Sequence, residues 1–288
     1  MTEPVKRIFL AGASGAIGRR VVPALLGRGH EVVGLTRSED SAARIKALGA
    51  GAVVGDVYDA EALTQAVRAA RPDVVMHQLT DLGAGDRAAN AKLRVVGTRN
   101  LVDAARAAGV RRIVAQSIAW AYAPGAEPAT EDTPLDLRGA PERVVTVEAV
   151  AALETAVAEL PEWVVLRYGT LYGPGTWYER GALMAQLAQA GQLPANADVS
   201  SFVHVDDAAS AAVSALDWPA GAVNVCDDEP APGYEWVPVF CAAVGAPEPA
   251  RAEGERTGWA RGADNSRARH ELGWVPTRPS WREGFTTA

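Results

Sequence analysis

Arg7-Ile-Phe-Leu-Ala11-Gly12-Ala-Ser-Gly15-Ala-Ile-Gly18 is the stretch on which the reading of this chain turns. An apolar run from Arg7 to Ala11 delivers the backbone to three glycines spaced three apart, and a helix-forming segment follows, ending near Arg28. Glycine lets the main chain approach a pyrophosphate closely. The phosphate charge then rests against a helix N-terminus, where unpaired amides and the helix dipole favour an anion. Three glycines alone say little in a chain that has 28 of them. Strand, turn and helix in that order are what the mechanism requires, so Gly12, Ser14, Gly15, Ala16, Ile17 and Gly18 are expected to form a phosphate cradle.

Working outward from this unit, short apolar runs alternate with amphipathic segments, the pattern of repeated β-α units. Strands are expected at Arg7–Ala11, Glu31–Thr36, Ala52–Val54, Val74–Gln78, Arg112–Gln116 and Trp163–Arg167. Helices are expected at Ser41–Leu48, Asp59–Ala70, Asn90–Ala108 and Val144–Leu160. The fold class this predicts is α/β, a doubly wound parallel sheet whose ligand crevice lies at the carboxyl ends of its strands. After Tyr168 the rhythm breaks at the loops Tyr172-Gly-Pro-Gly175 and Glu229-Pro-Ala-Pro-Gly233. Residues 1–167 are therefore read as a dinucleotide-binding domain, and 168–288 mainly as a smaller substrate lobe with some segments returning to the first. The acidic, proline-containing stretch from Pro124 to Ala140 reads as an exposed loop.

Composition narrows the functional class. The net charge of -7 opposes binding to a phosphate backbone, and the opening Met-Thr-Glu-Pro-Val-Lys lacks the apolar core of a signal peptide. The expectation is a cytoplasmic protein with a small-molecule ligand, no nucleic-acid or membrane partner, and a possible homodimer. Cys226 and Cys241 read as core residues, with no metal pattern around them. Lysine occurs only at positions 6, 46 and 92, so 25 of the 28 basic residues are arginine.

The end of the second strand speaks to the cofactor. A carboxylate there would take the ribose 2′-hydroxyl of NAD, but the chain reads Gly34-Leu-Thr36-Arg37-Ser38. The Arg37 guanidinium suits a 2′-phosphate instead, which favours NADP. Asp56 and Val57, after the third strand, are expected beside the adenine, although a plain turn aspartate reads almost as well. Gln78, Leu79 and Thr80, after the fourth strand, are expected along the inner ribose and phosphates, with His77 before them either at the cofactor or as a core histidine.

Together these landmarks resemble the extended short-chain dehydrogenase/reductases, specifically the NAD-dependent epimerase/dehydratase group. The resemblance rests on the glycine turn, Gly55-Asp56-Val57, Gly97-Thr98-Arg-Asn100, Arg167-Tyr-Gly-Thr-Leu-Tyr172-Gly-Pro-Gly175, Phe202-Val-His204-Val-Asp206-Asp207 and Leu272-Gly-Trp274-Val-Pro276. It covers essentially the whole chain. It implies a Rossmann sheet and a catalytic set of Ser or Thr, Tyr-x-x-x-Lys and a helix Asn, in which lysine lowers the tyrosine pKa and the phenol exchanges a proton with the substrate oxygen.

Ser117 matches the hydroxyl position. The dyad does not follow. Where Tyr-x-x-x-Lys should precede Ala152-Leu-Glu154, the chain offers Val144/Glu148 or Thr146/Val150, and no lysine occurs after Lys92. Arg94 stands three before Gly97, where the resemblance implies asparagine, and Asn90 lies one turn earlier. Candidate replacement acids are Tyr122 and Tyr172, with Glu148 and His204 behind them; Asp206 reads as a helix cap. Trp120, Trp177, Tyr178 and Arg180 fall on loops expected to cover the substrate, which suggests an aromatic or extended apolar ligand.

The expected function is an NADP-dependent oxidoreductase acting on a small carbonyl or hydroxyl metabolite through a non-standard proton donor. Redox-neutral epimerisation, dehydration or cyclisation on the same fold is the alternative, as is a non-catalytic NADP-sensing regulator.

Overall fold

The computed structural model describes residues 4–80 and 86–287, the last as backbone only. The first three residues of the opening stretch lie outside the described residues. The chain divides into two compact units, 1–117 with 140–166 and 209–222, and 118–139 with 167–208 and 223–288. The segment 118–139 belongs to the second unit and 209–222 to the first.

The first unit is built on the strands β1 (Arg7–Ala11), β2 (Glu31–Thr36), β3 (Gly51–Val54), β4 (Val74–His77), β5 (Arg112–Ile118) and β6 (Glu162–Tyr168). With β10 (Gly221–Val225) they form one seven-stranded sheet in the order β10-β6-β5-β4-β1-β2-β3. β1 pairs in parallel with both β2 and β4, and the β2/β3 and β4/β5 pairs are parallel as well. Strands covered on both faces must be apolar throughout, and Ile8 to Ala11 and Val74 to Met76 are almost wholly inaccessible to solvent.

Between the strands run α1 (Gly18–Gly27), α2 (Glu39–Ala47), α3 (Ala60–Ala70), α4 (Arg87–Lys92), α5 (Thr98–Ala107) and α6 (Pro141–Val157). Their starts are legible in the sequence. Ser38 accepts from the Ser41 amide, Asp59 from that of Ala62, and Asp86 from those of Ala88 and Ala89, while Pro141 occupies the first turn of α6. One segment departs from the expected continuous helix over 90–108: Leu93–Gly97, joining α4 to α5, is a π-helical turn. Leu101, Val102, Ala104 and Ala105 on α5 and Leu153 and Val157 on α6 pack with Phe9, Val75, Ile113 and Ala115 from the sheet. Each such large aliphatic side chain withdrawn from water contributes roughly 1.5–3 kcal/mol before entropy is counted.

The second unit carries β7 (Thr170–Tyr172), β8 (Val199–Ser200), β9 (Phe202–His204) and β11 (Ala231–Pro232), with α7 (Leu183–Gln189), α9 (Gly233–Val244) and α10 (Trp281–Thr287). The helix α8 (Val205–Ser214) begins in it and ends in the first unit. Its core is aromatic: Tyr172, Tyr178, Phe202, Trp236, Phe240, Trp281 and Phe285 meet edge to face or tilted, with ring centroids 5.1–6.4 Å apart, and Tyr178 stacks on Phe285. Cys226 and Cys241 are buried free thiols. Among the described residues no helix is long and apolar enough to cross a membrane.

Candidate functional site: a dinucleotide cradle in the first unit

Parallel pairing sets the carboxyl ends of the strands side by side, and hydrogen bonds fix them there. The Gln78 amide donates to the Ala11 carbonyl at 2.8 Å, the Gly55 amide to that of Thr36 at 2.9 Å, and the Gln116 side-chain nitrogen to that of Leu79 at 2.6 Å. The loops carrying Gly12, Arg37, Asp56 and Gln78 to Thr80 therefore leave one edge of the sheet.

Two of the glycines are required by contact. Gly12 has φ +93°, and a Cβ there would lie 2.4 Å from the Gln78 carbonyl oxygen; at Gly18 it would lie 2.1 Å from the Gly12 carbonyl oxygen. The turn closes on itself through the Gly15 amide to the Gly12 carbonyl at 3.0 Å. Neither an N-cap side-chain bond nor an acidic residue marks the first turn of α1, and the Arg19 and Arg20 amides donate to the Gly15 and Ile17 carbonyls at 3.0 and 2.9 Å. Ser14 and Gly15 are exposed, Ala16 half-buried and Ile17 buried. The Ser14 hydroxyl sits 3.2 Å from that of Thr36, tying the turn to the tip of β2. Beside it Arg37 is exposed and, among the described residues, makes no hydrogen bond or ion pair. The donor set suits a dinucleotide: backbone amides for the pyrophosphate, a hydroxyl, and a guanidinium at the ribose end.

Asp56 accepts from the Tyr58 amide at 2.9 Å, a local turn bond that leaves its other oxygen in solvent. Val57 is buried against Gly97, and its carbonyl accepts from Asn100 at 2.9 Å. Gln78 is buried, Leu79 half-buried and Thr80 exposed. His77 points into the core, its Nε2 2.8 Å from the Thr98 hydroxyl; burial first, and then the Arg94 charge, lower its pKa to about 4, so it is neutral at physiological pH.

Ser117 lies on the face of β5 shared by Ile113 and Ala115, the one covered by α5 and α6. Its hydroxyl donates to Glu154 at 2.7 Å. This contact fixes the register of α6. Positions four and eight before Glu154 are Val150 and Thr146, which therefore share the helix face turned to β5. In the alternative pair, Val144 is half-buried and Glu148 exposed. Neither tyrosine nor lysine occurs anywhere in α6. Glu154 had a sequence signal, its place in Ala152-Leu-Glu154, but only the tertiary contact shows what it holds.

The second unit holds the two phenols expected as proton donors, and both are buried. Tyr122 is 1% exposed; its hydroxyl donates to Asn224 at 2.5 Å and accepts from Arg167 at 3.0 Å, and that guanidinium also stacks on its ring. Tyr172 is fully buried in the aromatic core, and desolvation, reinforced by Asp227, raises its pKa beyond that of an ordinary phenol. His204 is likewise buried, 5.1 Å from the Tyr172 ring. Asp206 lies inside the first turn of α8 instead of capping it. Trp120 and Trp177 are exposed, as loop residues facing a ligand need to be, whereas Tyr178 belongs to the core and Arg180 donates to the Ala243 carbonyl.

A parallel sheet with a glycine turn at the end of its first strand and an uncapped helix behind it defines a Rossmann-type dinucleotide-binding enzyme. The comparisons make the assignment narrower. Residues 8–226 match the NAD dependent epimerase/dehydratase family, and the chain belongs to that family. A 3-diazoavenalumate denitrifying reductase from a Streptomyces species is 48% identical over 97% of this chain and 99% of its own length. A UDP-glucose 4-epimerase from Mycolicibacterium smegmatis is 31% identical over 94% of this chain and 93% of its own. Among solved structures, the Bordetella bronchiseptica enzyme WbmG in complex with NAD and UDP aligns with a TM-score of 0.79 at 25% identity, covering 98% of this chain and 92% of that one. The protein is an enzyme of the oxidoreductase/epimerase kind.

Proposed function

We propose that this chain is an NADP(H)-dependent reductase that delivers hydride to an aromatic diazo compound, releasing dinitrogen. The observation that carries the reading is the face of α6 turned to β5, which offers Thr146 and Val150 and no tyrosine or lysine. Reducing a ketone consumes one hydride and one proton, and epimerisation at a hydroxyl carbon needs a base that takes a proton and returns it. An aryldiazonium carbon needs neither. Hydride replaces dinitrogen, the carbon–nitrogen bond breaks with its electron pair leaving on nitrogen, and the products are the arene, dinitrogen and oxidised cofactor. The missing acid is then a match to the chemistry. The whole-length similarity to a reductase whose name carries a diazo substrate supports the same reading.

When bound, the dinucleotide supplies the hydride. The backbone of Gly12 to Gly18 would hold its pyrophosphate, Ser14 and Arg37 the adenosine ribose with its 2′-phosphate, Asp56 and Val57 the adenine, and Gln78 to Thr80 the inner ribose. Ser117 acts as a positioning residue: through Glu154 it fixes the face of α6 that meets β5. No proton passes through Tyr122 or Tyr172, whose hydroxyls are buried.

The test uses NADPH carrying deuterium at nicotinamide C4 with a panel of hydroxylated aryldiazonium salts and, in parallel, aryl ketones. The expected result is one deuterium on the arene carbon that bore nitrogen, with one equivalent of gas and one of NADP⁺. Ketone reduction without diazo turnover would refute the proposal, and product formation without net NADPH consumption would move the assignment to a redox-neutral reaction.

A further inference from the structure

Arg94 is a buried guanidinium of the first unit to which the structure, among the described residues, gives no ion pair. It is 8% exposed, yet among the described residues no hydrogen bond and no carboxylate within 4 Å meets its guanidinium. Buried charges are ordinarily paired, because withdrawing an ion from water costs several kcal/mol that only a partner offsets. His77, which feels its charge, is neutral, and desolvation lowers the arginine pKa to about 10, still charged at pH 7. The residue sits on the π-helical turn Leu93–Gly97, which packs against α6. Such single π turns interrupt a helix at a cost and recur where a side chain has a task.

Its place in the sheet says which ligand atoms it serves. The sheet order puts β2 and β3, with Arg37 and Asp56 at their tips, on one side of β1. β4, β5 and β6 lie on the other side, and Arg94 stands beside His77 at the end of β4. The adenosine end of a dinucleotide thus already has its cation. The half that carries Arg94 is the one whose covering helix, α6, contributes no lysine.

We infer that Arg94 is a substrate-binding residue that holds an anionic oxygen, phenolate or carboxylate, of an aromatic substrate, supplying a positive charge from the π turn where α6 brings no lysine. This rests on the proposed reading for the kind of ring, and on the buried, unpaired guanidinium for the charge. A planar fork of donors fits such an oxygen with two bonds, and their loss costs a ligand about 10- to 100-fold in affinity.

The experiment measures binding only, so it stands whether or not diazo reduction does. Full-length protein saturated with NADP⁺ is titrated calorimetrically with 4-hydroxycinnamate and with its neutral methyl ether methyl ester, for the parent, Arg94→Met and Arg94→Lys. Expected are a weakening of at least 10-fold for the anion in Arg94→Met, partial recovery in Arg94→Lys, and an unchanged neutral ligand. The NADP⁺ Kd should stay within about 2-fold, and the melting temperature of Arg94→Met should equal or exceed the parent's, since an unpaired buried charge has been removed. Three results overturn the inference: a loss of NADP⁺ affinity without loss of the anion, which assigns Arg94 to a cofactor phosphate; equal weakening of both arenes; or a fall in melting temperature for both variants, which makes Arg94 structural. Failure of the deuterium experiment with success here would leave the anion site standing and remove the diazo reading.

Discussion

Asp227→Asn should make this protein more stable at neutral pH, with a pH dependence that follows from burial. Asp227 is 1% exposed; one of its carboxylate oxygens, Oδ2, has no hydrogen-bond partner among the described residues, and the other accepts from the Glu229 amide at 3.4 Å. Desolvation dominates and pushes its pKa from 3.8 to about 8, against the partial relief of nearby backbone donors. A carboxyl group whose folded pKa is raised binds its proton more tightly in the folded state. Its contribution is therefore fully present below about pH 4 and is lost as pH rises to about 8. Each pH interval of one in that window costs about 1.4 kcal/mol, so the accumulated penalty at pH 7 is up to about 4 kcal/mol. Asparagine keeps the acceptor and carries no charge, but its buried amide adds a pH-independent cost of about 1–3 kcal/mol. The readout is thus the slope: the stability difference between variant and parent should grow in favour of the variant by roughly 4 kcal/mol from pH 4 to pH 7, measured by urea denaturation with unchanged m-values. His77 loses stability in the opposite sense, as pH falls from 6.5 towards its folded pKa of about 4, but it is common to both proteins and cancels. A difference that is flat across this range would refute the reasoning, because it would mean that Asp227 is ionised and compensated in the folded protein.

Other outcomes follow from the same structure. Arg37→Ala should weaken NADP⁺ about 10- to 100-fold and leave NAD⁺ within about 2-fold, by fluorescence titration; equal weakening of both would detach Arg37 from the 2′-phosphate. Gly12→Ala places a methyl group 2.4 Å from a backbone oxygen at a φ that side chains avoid, so it should cost about 2 kcal/mol or more in chemical denaturation; a neutral result would show that the turn relaxes freely. Tyr122→Phe leaves Asn224 and Arg167 short of a buried partner and should cost about 1–3 kcal/mol of stability while steady-state kcat stays within a few-fold. A large drop in kcat at unchanged stability would restore Tyr122 as a proton donor.

Local chemistry made most of the fold, with the glycine turn that ends its first strand, legible. Apolar runs, N-cap residues and glycine spacing act over a few residues, and the six strands around the glycine turn lie within two residues of where those signals put them. The sequence also determined, beyond any register argument, that α6 brings no lysine to β5. The rest waited on contacts between distant segments. That Ser117 spends its hydroxyl on Glu154, that Tyr122 and Tyr172 are walled in, and that Arg94 is buried with no ion pair among the described residues are matters of which face each element presents and what lands upon it. A residue's type sets the chemistry it can perform. Burial and neighbours, decided by packing across 37 residues for Ser117 and 102 for Tyr122, set whether it performs it.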